Sequence, residues 1–251
     1  MAARGKSRVT MRFMKIVRRN SVVSTMDECR ALFAAGAGEI TVVTAEEQTG
    51  GRGRVGRAWY SPPGGAIYVS ILLTPRIAPR SANQLTMLGA LAVLDAVEPE
   101  LPFGVSAGIK WPNDVLIDGR KLAGVLVETA LLGDAIEYCV IGIGVNVDVD
   151  FANAPVEVRE RATSLRGVGV RAPDRERILV RLLASVERRY AELQTRPPFD
   201  EYRSRLLTLG TQVTVSGAEQ IHGLALRIED DGALVLQTID GERRVRFGDL
   251  G

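Results

Sequence analysis

The sequence predicts an α+β chain in two parts, a mixed strand-and-helix region followed by a small β-rich one. Three observations lead there. Up to about residue 207, β-branched runs alternate with helical patterns. The long pattern "DRERILVRLLASVERRYAELQ", Asp174 to Gln194, is amphipathic, with a shorter helical stretch around Phe199 to Leu207 behind it. From Gly210 the texture changes to short strands divided by Ser-Gly, Asp-Asp-Gly and Asp-Gly, the pattern of a small SH3-type β-barrel. The division is therefore a tail over 1–20, a first domain over 21–207 and a second over 208–251. A length of 251 residues suits one main domain with a small appendage.

The elements follow in order. "MAARGKSRVTMRFMK" is basic but has no apolar signal core, so the first 15 or so residues read as a loose tail. "STMDECRALFAAG" opens on Ser24 and Thr25, either of which can cap a helix; Leu32 and Phe33 give it an apolar face and Gly36 stops it. "EITVVTAEE", Glu39 to Glu47, is β-branched and reads as a strand. "GGAIYVSILL", Gly64 to Leu73, is a nearly continuous apolar strand ended by Pro75 and Pro79. Between Ser81 and Glu98, Leu85, Leu88, Leu91, Ala92 and Val93 are spaced for a mostly buried helix. Gly104 to Trp111 is a strand, and "VLIDGRKLAGVLVET" is a hairpin turning at Asp118-Gly119. Ala135 to Val147 is a further strand, antiparallel to Lys121–Thr129, and residues 148–172 read as a long loop. Asp174 caps the last long helix, and no internal repeat is present.

Composition excludes several functions. Hydrophobic residues make up 46% and charged residues 25%, the balance of an ordinary soluble globular protein. A net charge of +2 is too small for general affinity to nucleic acid or membrane, so an anion site must be local. No run approaches the roughly 18 apolar residues that span a bilayer. Cys29 and Cys139 have apolar neighbours and no CxxC spacing, which reads as two buried, reduced thiols and fits the cytoplasm. One His, His222, and two isolated Cys argue against structural zinc and against a His-based triad.

Three stretches carry chemistry. From Gln48 to Leu94 there is no Asp or Glu, yet the window holds Arg52, Arg54, Arg57, Arg76 and Arg80. Arginines gathered in a Gly-rich loop suit a polyanion such as a nucleotide phosphate; a solvated basic loop is the plain alternative. Gly51, Gly53 and Gly56 spell G-x-G-x-x-G, but Pro62 and Pro63 forbid the helix a dinucleotide fold needs, and no acid follows until Asp95. A P-loop is excluded because no G-K-[ST] follows. The second stretch is "KWPNDVLIDGRKLAG", where Lys110 and Lys121 sit on strands that otherwise look buried. A lysine there is costly unless it meets an anion, and Asp114 offers a ligand for Mg²⁺. The third is "GIGVNV", Gly142 to Val147. Its glycines signal either a bulge or something that approaches the strand closely, with Asn146 facing it.

"EEQTGGRGRVGRAWYSPPGGAIYVSI", "KWPNDVLIDGRKLAGVLVE" and "IGIGVNV", in this order and spacing, resemble the biotin–protein ligases (biotin–[acetyl-CoA-carboxylase] ligases). The resemblance is strong from Ser21 to about Leu165 and looser in the C-terminal part. It implies a catalytic domain like that of class II aminoacyl-tRNA synthetases, a mixed sheet backed by helices, with the small SH3-like β-barrel behind it. It also implies two chemical steps: biotin and MgATP give biotinyl-5′-AMP, and a lysine of a biotin carboxyl carrier protein then takes the biotinyl group. Bringing a carboxylate to a triphosphate needs positioned cations and dipoles rather than a nucleophilic side chain.

Residue by residue, the resemblance puts Ser24, Thr25 and Gln48 on biotin; Met26 stands where relatives often have Asn. Gly51, Arg52, Gly53 and Arg54 match the loop that folds over biotin and its adenylate, with Arg54 retaining the adenylate. Arg57 and Trp59 match positions near triphosphate and adenine, and Trp59 is the expected aromatic cover because 148–165 has no Trp. Lys121 matches the main catalytic cation, reaching the biotin carboxylate and the bridging phosphate. Lys110, Asn113 and Asn146 match the ATP side, and Asp114 the Mg²⁺ side.

With about 20 residues before the Ser-Thr helix, no DNA-binding domain and no operator binding are expected. Edge-to-edge homodimers occur among relatives, and that state is left open. The competing readings are a lipoate or octanoate protein ligase or transferase on a related fold, a nucleic-acid module and an inactive biotin binder. The Arg52 to Arg57 loop is expected to be disordered when empty and ordered over biotinyl-AMP.

Overall fold

The computed structural model describes residues 14–217, 219–246 and 248–250. Up to residue 13 the predicted tail lies outside the described residues. From residue 15 the tail reading is corrected, because Lys15–Val22 is a strand, β1. Arg18, Arg19, Asn20 and Ser21 hide it by breaking any apolar alternation. It forms as an edge strand, which needs one partner only, and runs parallel to β2 (Thr41–Gln48) with Lys15 opposite Thr41. Helix α1 (Thr25–Ala34) makes the crossover.

β3 (Ala66–Leu73), β4 (Ala107–Lys110), β5 (Asp114–Ile117), β6 (Arg120–Leu132) and β7 (Ala135–Asn146) complete a seven-stranded mixed sheet of order β1-β2-β3-β7-β6-β5-β4. Every pairing in it except β1 with β2 is antiparallel. β3 shows why its sequence is continuously apolar: side chains alternate between faces and both faces are covered. Ile67, Val69, Ile71 and Leu73 join the main core with helices α2 (Asn83–Val97) and α4 (Arg175–Glu192). Leu72 joins Met26 and Cys29 of α1, while Ala66 and Tyr68 pack with Trp59, Tyr60 and Phe151. α1 packs on β2, β3 and β7 and does not extend over β6. The site opens there.

Asp174 caps α4 as expected, accepting from Arg177 N at 3.0 Å. The 148–172 segment is not all loop, since it contains a short helix α3 (Val156–Arg161). The helix predicted around Phe199 to Leu207 stops sooner, as α5 (Phe199–Ser204); Leu206 then bridges Ile109 of β4. Cys29 and Cys139 are free and fully buried, and burial pushes both thiols up to about 12. No helix among the described residues is long and apolar enough to cross a membrane.

The C-terminal strands are β8 (Gln212–Ser216), β9 (Gln220–Ile228), β10 (Leu234–Thr238), β11 (Gly241–Val245) and β12 (Asp249–Leu250). They form one antiparallel sheet ordered β11-β10-β9-β8-β12. Among the described residues no ladder joins β11 to β12, so the predicted barrel is not closed. β12, at two residues, is too short to carry a closing ladder. The sheet docks on the Trp111 bend: the buried indole donates to Gly232 O at 3.0 Å, and Trp111 N donates to Thr208 Oγ1 at 2.9 Å.

Candidate functional site

A cavity of about 380 Å³ opens over β6 and β7, lined also by residues of α1 and α3. Its floor is glycine. Gly124 and Gly144 are opposite each other in the β6–β7 ladder. A Cβ on Gly144 would lie 2.6 Å from the Trp59 ring, and one on Gly142 would lie 2.8 Å from Met26 Sδ. Of the two readings of "GIGVNV", close approach is the one realised, and what approaches is Trp59 and Met26. Trp59 also lies under a cation, with Lys121 Nζ 5.1 Å from its centroid. Its indole N–H is buried without an acceptor.

One end of the cavity is neutral and polar, and is built on the start of α1. Ser24 is the N-cap, its hydroxyl accepting from Met26 N at 3.3 Å. Thr25 donates to Gln48 Oε1 twice, from N at 2.9 Å and from Oγ1 at 3.1 Å. Thr25 Oγ1 also lies 2.7 Å from Ser70 Oγ, and Gln48 Nε2 donates to Ser61 Oγ at 3.3 Å. Ser61 and Ser70 were missed in the sequence. The signal for Ser70 was present, as the one polar residue in "AIYVSILL" on the face shared with Tyr68. Met26 is apolar in role, buried against Cys29 and Val43.

The other end is cationic. A β-bulge directs Lys121 there. Leu116 pairs with Lys121 and Val115 with Ala123, so Leu122 is an extra residue. Leu122 and Ala123 both turn into the core, and Lys121 thereby faces the cavity beside Gly124. Its Nζ is 2.7 Å from Asp114 Oδ1. The same oxygen lacks an aligned hydrogen bond, so the contact is an ion pair by distance alone. Asn113 Nδ2 donates to Val125 O at 2.8 Å, which leaves its Oδ1 for Arg54 at 3.4 Å. Asn146 is buried and donates weakly to Lys121 O at 3.4 Å.

The Gly-Arg stretch closes over this floor as a small folded loop. Arg52 bridges Ala58, Trp59 N donates to Gly51 O at 2.9 Å, and Gly53 N donates to Arg57 O at 2.6 Å. At Gly51 a Cβ would sit 2.5 Å from Ser61 Oγ, so this glycine is required by packing. Val55, at the tip, has φ of 53°, a left-handed value that strains a β-branched residue. Burial lowers the Arg54 pKa from its ordinary value, but a guanidinium stays charged. Arg57 Nη2 reaches across to Asp249 Oδ2 of β12 at 2.6 Å.

Ser24, Thr25, Gln48, Arg52, Gly53, Arg54, Arg57, Trp59, Asn113, Lys121 and Asn146 thus surround one cavity. Gly51 lies just behind it, and Asp114 touches it through Lys121. Lys110 is the correction. It does not line the cavity; its ammonium donates to Leu250 O at 2.7 Å. The half-buried lysine found a main-chain carbonyl of the C-terminal sheet instead of a phosphate, and burial lowers its pKa. Arg161, from α3, does line the cavity and was missed because 148–172 looked aperiodic. Among the described residues it has no ion-pair partner within the salt-bridge distance. Among the described residues no group of three or more His, Cys, Asp or Glu is placed to hold a metal. Asp114 alone suits an ion that arrives already held by phosphate oxygens, as Mg²⁺ commonly does.

A neutral hydrogen-bonding end, a flat apolar floor and a cationic end define a site for an elongated molecule with one anionic terminus. The comparisons with known proteins agree. Residues 22–146 match the Biotin/lipoate A/B protein ligase family, and residues 208–249 match the biotin protein ligase C-terminal domain. The biotin–[acetyl-CoA-carboxylase] ligase of Mycobacterium tuberculosis is 40% identical over 234 residues, covering 90% of this chain and 85% of that protein. The bifunctional ligase/repressor BirA of Bacillus subtilis is 35% identical over 233 residues, covering 90% and 70%. A biotin protein ligase of Aquifex aeolicus, solved in complex with biotin and ATP, superposes with a TM-score of 0.79 at 28% identity, over 95% of this chain and 98% of that one. The chain belongs to the biotin protein ligase family.

Proposed function

We propose that the protein is an ATP-dependent biotin–[acetyl-CoA-carboxylase] ligase working through biotinyl-5′-AMP. The observation that carries this reading is the single cavity joining the Thr25–Gln48–Ser70 cluster to Lys121 and Arg54 across a glycine floor. The neutral cluster offers donors and acceptors to the ureido group of biotin. The apolar floor takes the rings and chain, which points the carboxylate at Lys121. In the first step a carboxylate oxygen bonds to the α-phosphorus of ATP and the bond to pyrophosphate breaks. Lys121 and Arg54 offset the negative charge gathered there, and Arg161 faces the departing phosphates. Trp59 and Asn146 serve the nucleotide. Asp114, which lies 2.7 Å from Lys121 Nζ, would hold a Mg²⁺ ion, and that ion would offset charge on the phosphate oxygens.

In the second step the amine of a carrier lysine attacks the acyl carbon, loses a proton and expels AMP. The partner is a biotin carboxyl carrier domain of a carboxylase, and the setting is the cytoplasm. Residues 21–207 act as the catalytic domain, with 208–251 docked on the Trp111 bend. Biotin-dependent exchange of labelled pyrophosphate into ATP tests the reading. Exchange with biotin is expected; exchange with lipoate or octanoate but not biotin overturns it.

A further inference from the structure

Arg52 lines the cavity, yet its guanidinium is already committed. Nη1 and Nη2 donate to the two oxygens of Asp27 at 2.9 and 2.8 Å, a bidentate pair, and Glu128 Oε1 lies 3.8 Å away. Arg30 joins both acids from the other side, through Asp27 and Glu128. The Asp27 carboxyl is held below the usual carboxylate range by this hydrogen bonding to Arg52, so the pair is charged at neutral pH. Asp27 stands in the first turn of α1, the helix whose start carries the neutral cluster, and Glu128 stands on β6. Arg52 is the stem residue of the loop, at the bridge to Ala58. The tip at Val55 is strained, and past it Arg57 makes a second ion pair, with Asp249 of β12.

We infer that Asp27 and Glu128 are positioning residues that clamp the Gly-Arg loop through Arg52, so that Arg52 holds the loop in place rather than binding the carboxylate of the ligand. The clamp ties the loop that covers the cationic end to the helix that forms the neutral end. The Arg52 pair therefore tethers the loop to α1 at its stem, apart from the attachment to β12 that Arg57 makes through Asp249. The anchoring stands on the geometry alone; its consequence for adenylate retention rests on the ligase reading above.

Limited trypsin digestion of the ligand-free protein separates the two. Cleavage at Arg54 and Arg57 is expected to rise about fivefold in Asp27→Asn, with sites elsewhere unchanged. The exchanged pair Asp27→Arg with Arg52→Asp restores the acid–guanidinium contact and returns that cleavage to within about twofold of wild type. Cleavage of Asp27→Asn at the wild-type rate overturns the clamp. So does a rise shared equally by sites outside the loop, which would mark general loosening. Once the wild-type enzyme is shown to exchange pyrophosphate, the Asp27→Asn variant should release free adenylate about fivefold faster than wild type while keeping its KM for ATP. Unchanged release with faster cleavage would leave the anchor standing and remove its role in retention.

Discussion

At the α1 end of the cavity, Thr25, Gln48 and Ser70 satisfy one another through hydrogen bonds with no charge among them. At the β6 end, Lys121, Arg52 and Arg57 each rest on a carboxylate, of Asp114, Asp27 and Asp249 respectively. The neutral end is finished before ligand arrives. A partner there exchanges one hydrogen bond for another, worth about 1 kcal/mol each net. The cationic end pairs three of its charges with carboxylates, which offsets the repulsion among like charges there, while Arg54 and Arg161 have no carboxylate partner among the described residues. An incoming anion must compete with those carboxylates. Affinity for biotin should therefore depend chiefly on the neutral end, and rate on the cationic end.

The largest effect that bears on this contrast is expected from Lys121→Ala. Biotin-dependent pyrophosphate exchange should fall by about 10²–10³-fold, while thermal unfolding and biotin affinity stay near wild type. Near-normal exchange would remove Lys121 from catalysis and collapse the contrast. Arg54→Gly should preserve exchange better but let biotinyl-AMP escape about tenfold faster, read by trapping free adenylate before carrier is added. At the neutral end, Thr25→Val removes the hydroxyl shared by Gln48 and Ser70. Calorimetry should show biotin binding weakened about tenfold with kcat little changed. A fall in kcat without loss of affinity would reverse the assignment of the two ends. The smallest effect is assigned to Arg161→Ala, an exposed cation. It should raise the KM for ATP about threefold and leave that for biotin alone. An equal rise in both would place Arg161 at the mouth rather than on the phosphates.

Much of this was legible in the residues. The acid-free window from Gln48 to Leu94 marked a local basic cluster, and the glycines of "GIGVNV" left a bulge or a close approach as the two choices. The hairpin at Asp118-Gly119 and the Asp174 cap stand where local turn and cap chemistry put them. Lys110, which was misplaced, and Arg161, which was missed, share one feature with Arg52, whose partner was not foreseen: all have long side chains whose surroundings come from distant segments. Leu250 lies 140 positions from Lys110, and Asp27 lies 25 from Arg52. β1 was missed for a related reason, since an edge strand is held by its neighbour's backbone and needs no apolar pattern of its own.

The sequence by itself determined most of the periodic elements, the turns and the family that the three stretches resemble. These depend on backbone sterics and on neighbours a few positions away. The tertiary structure alone decided where each charge goes. The Leu122 bulge turned Lys121 from the core side to the cavity, the C-terminal sheet drew Lys110 out of the site, and α1 took Arg52. A strand's register and a flexible side chain's partner are settled by packing across the fold, which no local pattern of residues records.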